Sequence, residues 1–240
     1  FEAALRAIKI AKTQIEILSL VDLPSNLITP TYLSKWAHES GVAYGFTTKI
    51  LDGAAAKIEG LDAFMAVGKG SEKEPQFIIM DYMPITDIQK IKHVGLVGKG
   101  ITFDTGGLNI KTSGMLHMKC DMAGGAAVLG AIQLIADLKL PVRVTAIVPC
   151  CENAVDNSSF LPSDVIKSYN LNLSKMKQLH LIGTTGNNLC LVQIPTSWSQ
   201  QEVKEMLERA LLVFMQEQEG DNPEFLTSLN EEELRRQFPR

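Results

Sequence analysis

The sequence predicts an α/β fold, with a mixed, mostly parallel sheet flanked by helices. Short apolar runs that read as strands alternate along the chain with segments of helical period, which is the pattern of α/β domains. The clearest such unit runs from 94 to 125, where an apolar strand turns through glycines into the helix 122–138. That helix is apolar nearly all round, so we expect it to lie against the sheet.

Before this unit, the sequence predicts three helices and three strands. The first helix spans 1–19, and the second spans 32–40 with Thr31 as its cap. The predicted strands are 44–51, 63–67 and 76–80, with a short helix at 54–59 between the first two. After the helix 122–138, one further strand is expected at 142–148.

Composition separates the chain into two parts near residue 170. We expect 1–170 to form one partial catalytic domain and 171–240 to be an unassigned C-terminal segment with a small αβ arrangement. In that segment, 179–182 and 189–194 read as two strands of a hairpin. A capping box at Ser199 and Glu202 predicts a helix to about 219, and Ser228 could start a last one.

Charge and cysteine usage exclude several classes of protein. The 240 residues carry a net charge of −4, which offers no basic field for nucleic acid or an anionic membrane. No apolar run reads as a membrane span, and Phe1 begins no signal-peptide pattern. The four cysteines form no CxxC pair, which favours reduced thiols and a cytoplasmic location. The absence of an initiator methionine points to a fragment or a processed product.

The stretch 94–125 places cations and carboxylates together among glycines. Asp104 and Asp121 would repel each other unless a cation lay between them, and hard divalent metals prefer carboxylate oxygens. Lys99 could offset the carboxylates as a cation or bind a metal through its neutral amine. Lys111 is placed to stabilise a developing oxyanion.

Two other interpretations of this stretch stay open on spacing alone. In the first, Asp121 caps the helix, Asp104 lies in a turn and the lysines are solvated, as most charged loop residues are. In the second, the run from Gly95 to Lys99 binds phosphate like a P-loop. The spacing is wrong for that motif, and no Ser or Thr follows the lysine.

The motifs GKGITFDTGGLNIK and MKCDMAGGAAVLGA resemble the leucyl aminopeptidase family, two-metal peptidases that remove N-terminal residues. Five other segments also occur in the order that the family has them: LVDLPSNLITPTYLSKWA, FMAVGKGS, PQFIIMDY, CEN and LPSDVIKSY. The resemblance therefore covers about 1–169. It implies a cytoplasmic metallo-aminopeptidase that acts on peptides, uses two Mn²⁺ or Zn²⁺ ions and assembles as a homo-oligomer, a hexamer in the family.

The resemblance also assigns roles to single residues. Lys99, Asp104 and Asp121 match metal ligands, with Asp104 shared between the two ions. Lys111 matches the catalytic lysine that polarises the scissile carbonyl. Met118 matches a wall of the pocket for the substrate's first side chain. Glu152 and Asn153 of the CEN motif are expected to support the site or to lie in a turn.

A second family signature, roughly Asn-Thr-Asp-Ala-Glu-Gly-Arg, is expected after Asn170 and is not found there. Without its carboxylates and arginine, at most one metal would be well held, so we expect a weak or inactive enzyme. A truncation, frameshift or fusion near Asn170 would explain the change. The alternative function is a non-catalytic family remnant that acts as an assembly or interaction module.

Overall fold

The computed structural model describes residues 1–85, 91–162, 164 and 166, and the backbone of two strands at 180–185 and 189–194. The helices are α1 (Glu2–Asp22), α2 (Pro30–Tyr44), α3 (Gly53–Ile58), α4 (Asp62–Gly68) and α5 (Ala123–Asp137), with a 3₁₀ helix at Met115–Cys120. The strands are β1 (Thr47–Leu51), β2 (Gln76–Tyr82), β3 (His93–Gly98), β4 (Gly100–Asp104), β5 (Arg143–Asn153), β6 (His180–Thr185) and β7 (Leu189–Ile194).

The strands form one mixed sheet in the order β1-β2-β5-β3-β7-β6, and β4 continues the line of β3 along β5. The mixed α/β class is therefore confirmed, but parallel pairing is less common than the sequence predicted. Within the described strands, only β3–β5 and β4–β5 are parallel. A parallel neighbour needs a long crossover, and α5 provides it between β4 and β5.

Helices cover both faces of the sheet because successive strand residues point to opposite sides. Ile78 and Met80 of β2 belong to a core that includes residues of α1, α2 and α5. Phe77 and Ile79 belong to a second core with residues of α3 and α4. As the sequence predicted, α5 lies against the sheet. Helix α1 packs on the side of α5 that faces away from the sheet.

Two local predictions are wrong. Residues 63–67 were expected to form a strand but lie in α4, because a short apolar run fits a buried helix as well as a strand. The cap of α2 is Thr29 rather than Thr31: its hydroxyl accepts a hydrogen bond from the Tyr32 amide, and Pro30 takes the first helical position.

The outer face of α1 is apolar, which the helical period did not reveal. Ile8, Ile15 and Leu18 are 62–64% exposed, while Thr13 and Leu20 are buried on the side that meets α5. Gly130 of α5 makes this contact possible, since a Cβ there would lie 2.4 Å from Ile17. The apolar residues that predicted α1 therefore mostly point away from this domain's core.

One stretch, Met115–Asp137, is long and apolar enough to cross a membrane by length and composition, contrary to the sequence-based expectation. About 61% of its apolar window is buried inside the protein. It contains α5, whose residues contribute to the larger core. That pattern is typical of the central helix of an α/β domain.

The predicted hairpin of the C-terminal segment is present as β6 and β7, which pair antiparallel. Strand β7 also pairs antiparallel with β3, from Gly98 opposite Leu189 to His93 opposite Ile194. The predicted helices at 199–219 and after 228 lie outside the described residues. The division of the chain at residue 170 stays a prediction.

Candidate metal centre

Lys99 lies at the break between β3 and β4, where two glycines let the first turn of α5 approach. The Lys99 carbonyl accepts a hydrogen bond from the Gly125 amide at 2.7 Å. A Cβ on Gly98 would lie 2.5 Å from the Gly124 carbonyl oxygen, so a side chain there would force the helix away. The Lys99 side chain is only 4% exposed, and its amine faces a carboxylate.

Asp104 is the last residue of β4, and two hydrogen bonds to one carboxylate oxygen hold its side chain in place. The Oδ1 atom accepts hydrogen bonds from the Gly106 amide at 2.9 Å and from Asn153 Nδ2 at 2.7 Å. Gly106 has a φ of +88°, a conformation that favours glycine, and it bends the loop back over the carboxylate. The Oδ2 atom lies 3.2 Å from the amine of Lys111.

Asp121 directly precedes α5, but it does not cap that helix. Met122 is the N-cap residue, and no side chain caps the helix. Asp121 Oδ2 lies 3.1 Å from the Lys99 amine, yet it is buried and makes no hydrogen bond. The structure thus contradicts the interpretation of Asp121 as a simple helix cap.

The electrostatics of Asp121 reflect this burial. Desolvation raises the pKa of Asp121 to about 6, although the positive charge of Lys99 opposes the rise. The negative charge of Asp104 adds to the rise, and the positive charge of Lys111 opposes it. All four predicted charged residues therefore interact in one cluster, and the interpretation with solvated lysines is wrong for Lys99.

Lys111 lies at the more open side of this cluster. Its side chain is 25% exposed, and its backbone amide is held by the Thr105 carbonyl at 2.8 Å. Met118 is half-buried in the 3₁₀ helix, where its carbonyl accepts a hydrogen bond from the Asp121 amide at 3.3 Å. An amine thus adjoins the buried charges, while Met118 is tied to Asp121 through the backbone.

Across 1–85, 91–162 and the other described positions, no three His, Cys, Asp or Glu side chains come together as a metal-holding group. The cluster offers two carboxylates and two amines, and the buried Asp121 Oδ2 meets the Lys99 amine without a hydrogen bond of good geometry. Carboxylate oxygens are the ligands that hard divalent ions prefer, and these two residues are too few for a two-metal centre. Cys151 is fully buried, and burial raises the pKa of its thiol, so it is no ready thiolate ligand.

The CEN motif contributes more than the sequence indicated. Asn153 contacts Asp104 directly, and the side chain of Glu152 is fixed by Ser71 and Lys73. The sequence predicted that both residues would support the site or lie in a turn, without saying which residue they would contact. The missing information was the register of β5 against β4, which sets Asn153 opposite Asp104.

The chain is similar in sequence to known aminopeptidases. The family model described as the cytosol aminopeptidase family, catalytic domain, matches residues 17–178. A probable cytosol aminopeptidase of Cupriavidus necator is 42% identical over 168 residues, covering 70% of this chain and 32% of the relative. One from Chlorobium limicola is 41% identical over 151 residues, covering 62% of this chain and 30% of the relative.

Solved structures are similar as well. A structure titled bottromycin maturation enzyme BotP in complex with Mn is 34% identical, with a TM-score of 0.64, covering 69% of this chain and 35% of that one. An apo leucyl aminopeptidase from Trypanosoma cruzi is 30% identical, with a TM-score of 0.59, covering 61% of this chain and 28% of the other. This chain thus spans about a third of the length of the proteins that it matches.

Proposed function

This chain belongs to the cytosol aminopeptidase family, and from that premise we propose that it holds one divalent cation for the hydrolysis of peptides at their N-terminus. The observation that carries the proposal is Asp121 Oδ2, a buried oxygen that is ion-paired with the Lys99 amine at 3.1 Å but makes no hydrogen bond of good geometry. A buried carboxylate oxygen whose hydrogen-bonding capacity is not filled is costly in a folded protein unless a ligand compensates it.

Asp121, Asp104 and Lys99 would be the ligands of this cation. Mn²⁺ and Zn²⁺ are the candidate metals, and the Mn complex of BotP supports Mn²⁺ as the first to test. When bound, such an ion acts as a Lewis acid on a carbonyl and lowers the pKa of water. Asp104 is pre-oriented for this role, since its Oδ1 is engaged by two donors and its Oδ2 faces the cluster.

Lys111 would act on the substrate rather than on the metal. Its amine is within 3.2 Å of Asp104 Oδ2 and is partly exposed, so a substrate can reach it. A lysine cation at that position stabilises the negative charge that develops on a carbonyl oxygen under attack. Met118 would form an apolar wall for the side chain of the substrate's first residue.

Turnover by this chain would be weak or absent. The residues that would hold a second ion and accept a proton from the attacking water are not present as a recognisable motif after Asn170. A second metal sharing only Asp104 would bind poorly. We place the protein in the cytoplasm, with peptide substrates and without nucleic acid or membrane partners.

A second candidate function is that of a non-catalytic module in a homo-oligomer, a hexamer in the family. The outward apolar face of α1, with Ile8, Ile15 and Leu18 each more than 60% exposed, supports it. Exposed apolar patches of this kind mark contact surfaces. Replacing Ile8 and Ile15 by lysine should shift sedimentation toward the monomer if α1 makes that contact, and leave it unchanged otherwise.

The test of the cation site is a titration of the purified chain with MnCl₂ or ZnCl₂, followed by calorimetry, alongside an assay of leucine-arylamide hydrolysis. We expect one bound ion per chain and little or no turnover. Asp121→Ala should abolish binding, whereas the matched control Asp62→Ala, which removes a half-buried carboxylate at the start of α4, should not. Equal binding by Asp121→Ala and the control would refute the proposed site.

A further inference from the structure

Asn153, at the end of β5, makes more contacts with the Asp104 loop than a surface asparagine would. Its Nδ2 donates to Asp104 Oδ1 at 2.7 Å. Its backbone carbonyl accepts from both the amide and the hydroxyl of Thr105, each at 2.8 Å. The loop also closes tightly over it, since a Cβ on Gly107 would lie 3.0 Å from Asn153 Oδ1.

These contacts decide which oxygen of Asp104 is available. A carboxylate can only accept hydrogen bonds, so the asparagine must present its amide nitrogen to Asp104. With Asn153 Nδ2 and the Gly106 amide both on Oδ1, the side chain is fixed with Oδ2 toward Lys111 and the buried cluster. Asn153 therefore sets the orientation of a proposed ligand without being a ligand itself.

Contacts of the neighbouring residue Glu152 hold the end of β5, and therefore Asn153, in place. Its neighbour Glu152 accepts a hydrogen bond from Ser71 Oγ at 2.9 Å and forms an ion pair with Lys73. The Lys73 amine also donates to the Ser25 carbonyl at 3.4 Å. The Glu152 side chain is only 14% exposed, which protects this ion pair from solvent.

We infer that Asn153 is a positioning residue that fixes Asp104 for cation binding, anchored through the ion pair of Glu152 with Lys73. The inference rests on the proposed cation site. Groups that hold metal-binding carboxylates by hydrogen bonds typically contribute tenfold to a hundredfold to metal affinity. The residue should therefore affect the dissociation constant of the cation even in the absence of any substrate.

The experiment measures Mn²⁺ binding to the whole chain by calorimetry and by the electron paramagnetic resonance signal of free Mn²⁺. Asn153→Ala should raise the dissociation constant about 10–100-fold. The matched control Asn157→Ala, on the exposed loop nearby, should leave it unchanged. Thr105→Val removes one hydrogen bond to the Asn153 carbonyl but keeps the Asn153 amide, so it should change the constant less than about threefold if the amide is the decisive group.

The outcomes separate the two proposals. Wild-type affinity in Asn153→Ala, with binding still lost in Asp121→Ala, overturns the role of Asn153 and leaves the cation site standing. No binding by the wild-type chain overturns both. If Asn153→Ala does not fold, Asn153→Gln keeps the polar character but displaces the amide, and it should still weaken binding about tenfold; wild-type affinity there contradicts the inference.

Discussion

The two ends of strand β3 both bury polar side chains, but only one end satisfies them within the protein. At the start of the strand, His93 Nε2 lies 2.9 Å from Thr145 Oγ1, and that hydroxyl donates to Asp81 Oδ1 at 2.5 Å. Just past the other end, Lys99 and Asp121 are equally buried, yet Asp121 Oδ2 meets the Lys99 amine only as an ion pair without good hydrogen-bond geometry.

The difference separates a structural polar network from a site built for a ligand. Because the Thr145 hydroxyl donates to Asp81, it accepts from His93, which fixes the neutral histidine with its proton on Nε2. Nothing in that chain of bonds needs a further partner. The cluster at Lys99 keeps a buried oxygen without a well-aligned hydrogen bond and concentrates two negative and two positive charges, and such concentrations of buried charge are typical of functional sites.

The largest effect should follow from removing the positive charge of Lys99, just past the C-terminal end of β3. Lys99→Met leaves Asp121 buried beside Asp104 without its nearest positive charge, so we expect the free energy of unfolding to fall by roughly 3–5 kcal/mol. Urea denaturation in the presence of EDTA measures it. The double variant Lys99→Met/Asp121→Leu should recover most of the loss, and a single variant as stable as wild type would contradict the buried ion pair.

Acid should weaken the His93 end of β3, whereas Asp121 at the other end, with its pKa raised to about 6, changes stability in the opposite sense over an overlapping pH range. Burial, with the positive charge of Arg143, lowers the pKa of His93 to about 4 from 6.5. Since the pKa of His93 is lower in the folded chain than in the unfolded chain, protonation favours unfolding. The stability that the neutral histidine contributes is fully present above pH 6.5 and is lost as the pH falls from 6.5 through about 4. Its full size is about 3 kcal/mol.

Urea denaturation at pH 7.5, 5.5 and 4.5 tests this assignment. His93→Gln should be less sensitive to acid than wild type over that range, because it has no group to protonate at that position. If the stability of the two proteins had the same pH dependence, His93 would not be the group that responds to acid.

Added metal should stabilise the protein through the Lys99 end of β3 and not through the His93 end. At a Mn²⁺ concentration one hundred times its dissociation constant, the wild-type chain should gain about 2.7 kcal/mol of unfolding free energy. His93→Gln should keep this gain, whereas Asp121→Ala should lose it. Thermal unfolding with and without MnCl₂ gives the comparison, and a gain in all three proteins would indicate binding elsewhere.

The smallest expected effect is at Thr145. Thr145→Val leaves His93 and Asp81 without their shared partner in a buried position, so we expect a loss of about 1–3 kcal/mol in unfolding free energy. Its Mn²⁺ affinity should equal that of wild type within experimental error. A change in metal affinity would show that the two ends of β3 are coupled rather than independent.

Much of the candidate site could be predicted because its residues are close together in the sequence. Lys99, Asp104, Lys111 and Asp121 all lie on one strand–loop–helix unit, and the glycines around them signalled close approach of the backbone. Asn153 was expected only as a turn or supporting residue, because its contact with Asp104 joins two strands 49 positions apart. A single sequence does not specify that register.

The sequence by itself determined the α/β class, the existence of α1, α2 and α5, and the kinds of groups that could meet a cation. Tertiary structure decided that residues 63–67 form a helix, that most strand pairs are antiparallel, and that the apolar residues of α1 face outward. Periodicity and local chemistry are properties of neighbouring residues, so they can be read along the chain. Which face is covered, and which oxygen is left without a donor, depends on contacts between distant segments, and these arise only when the chain packs.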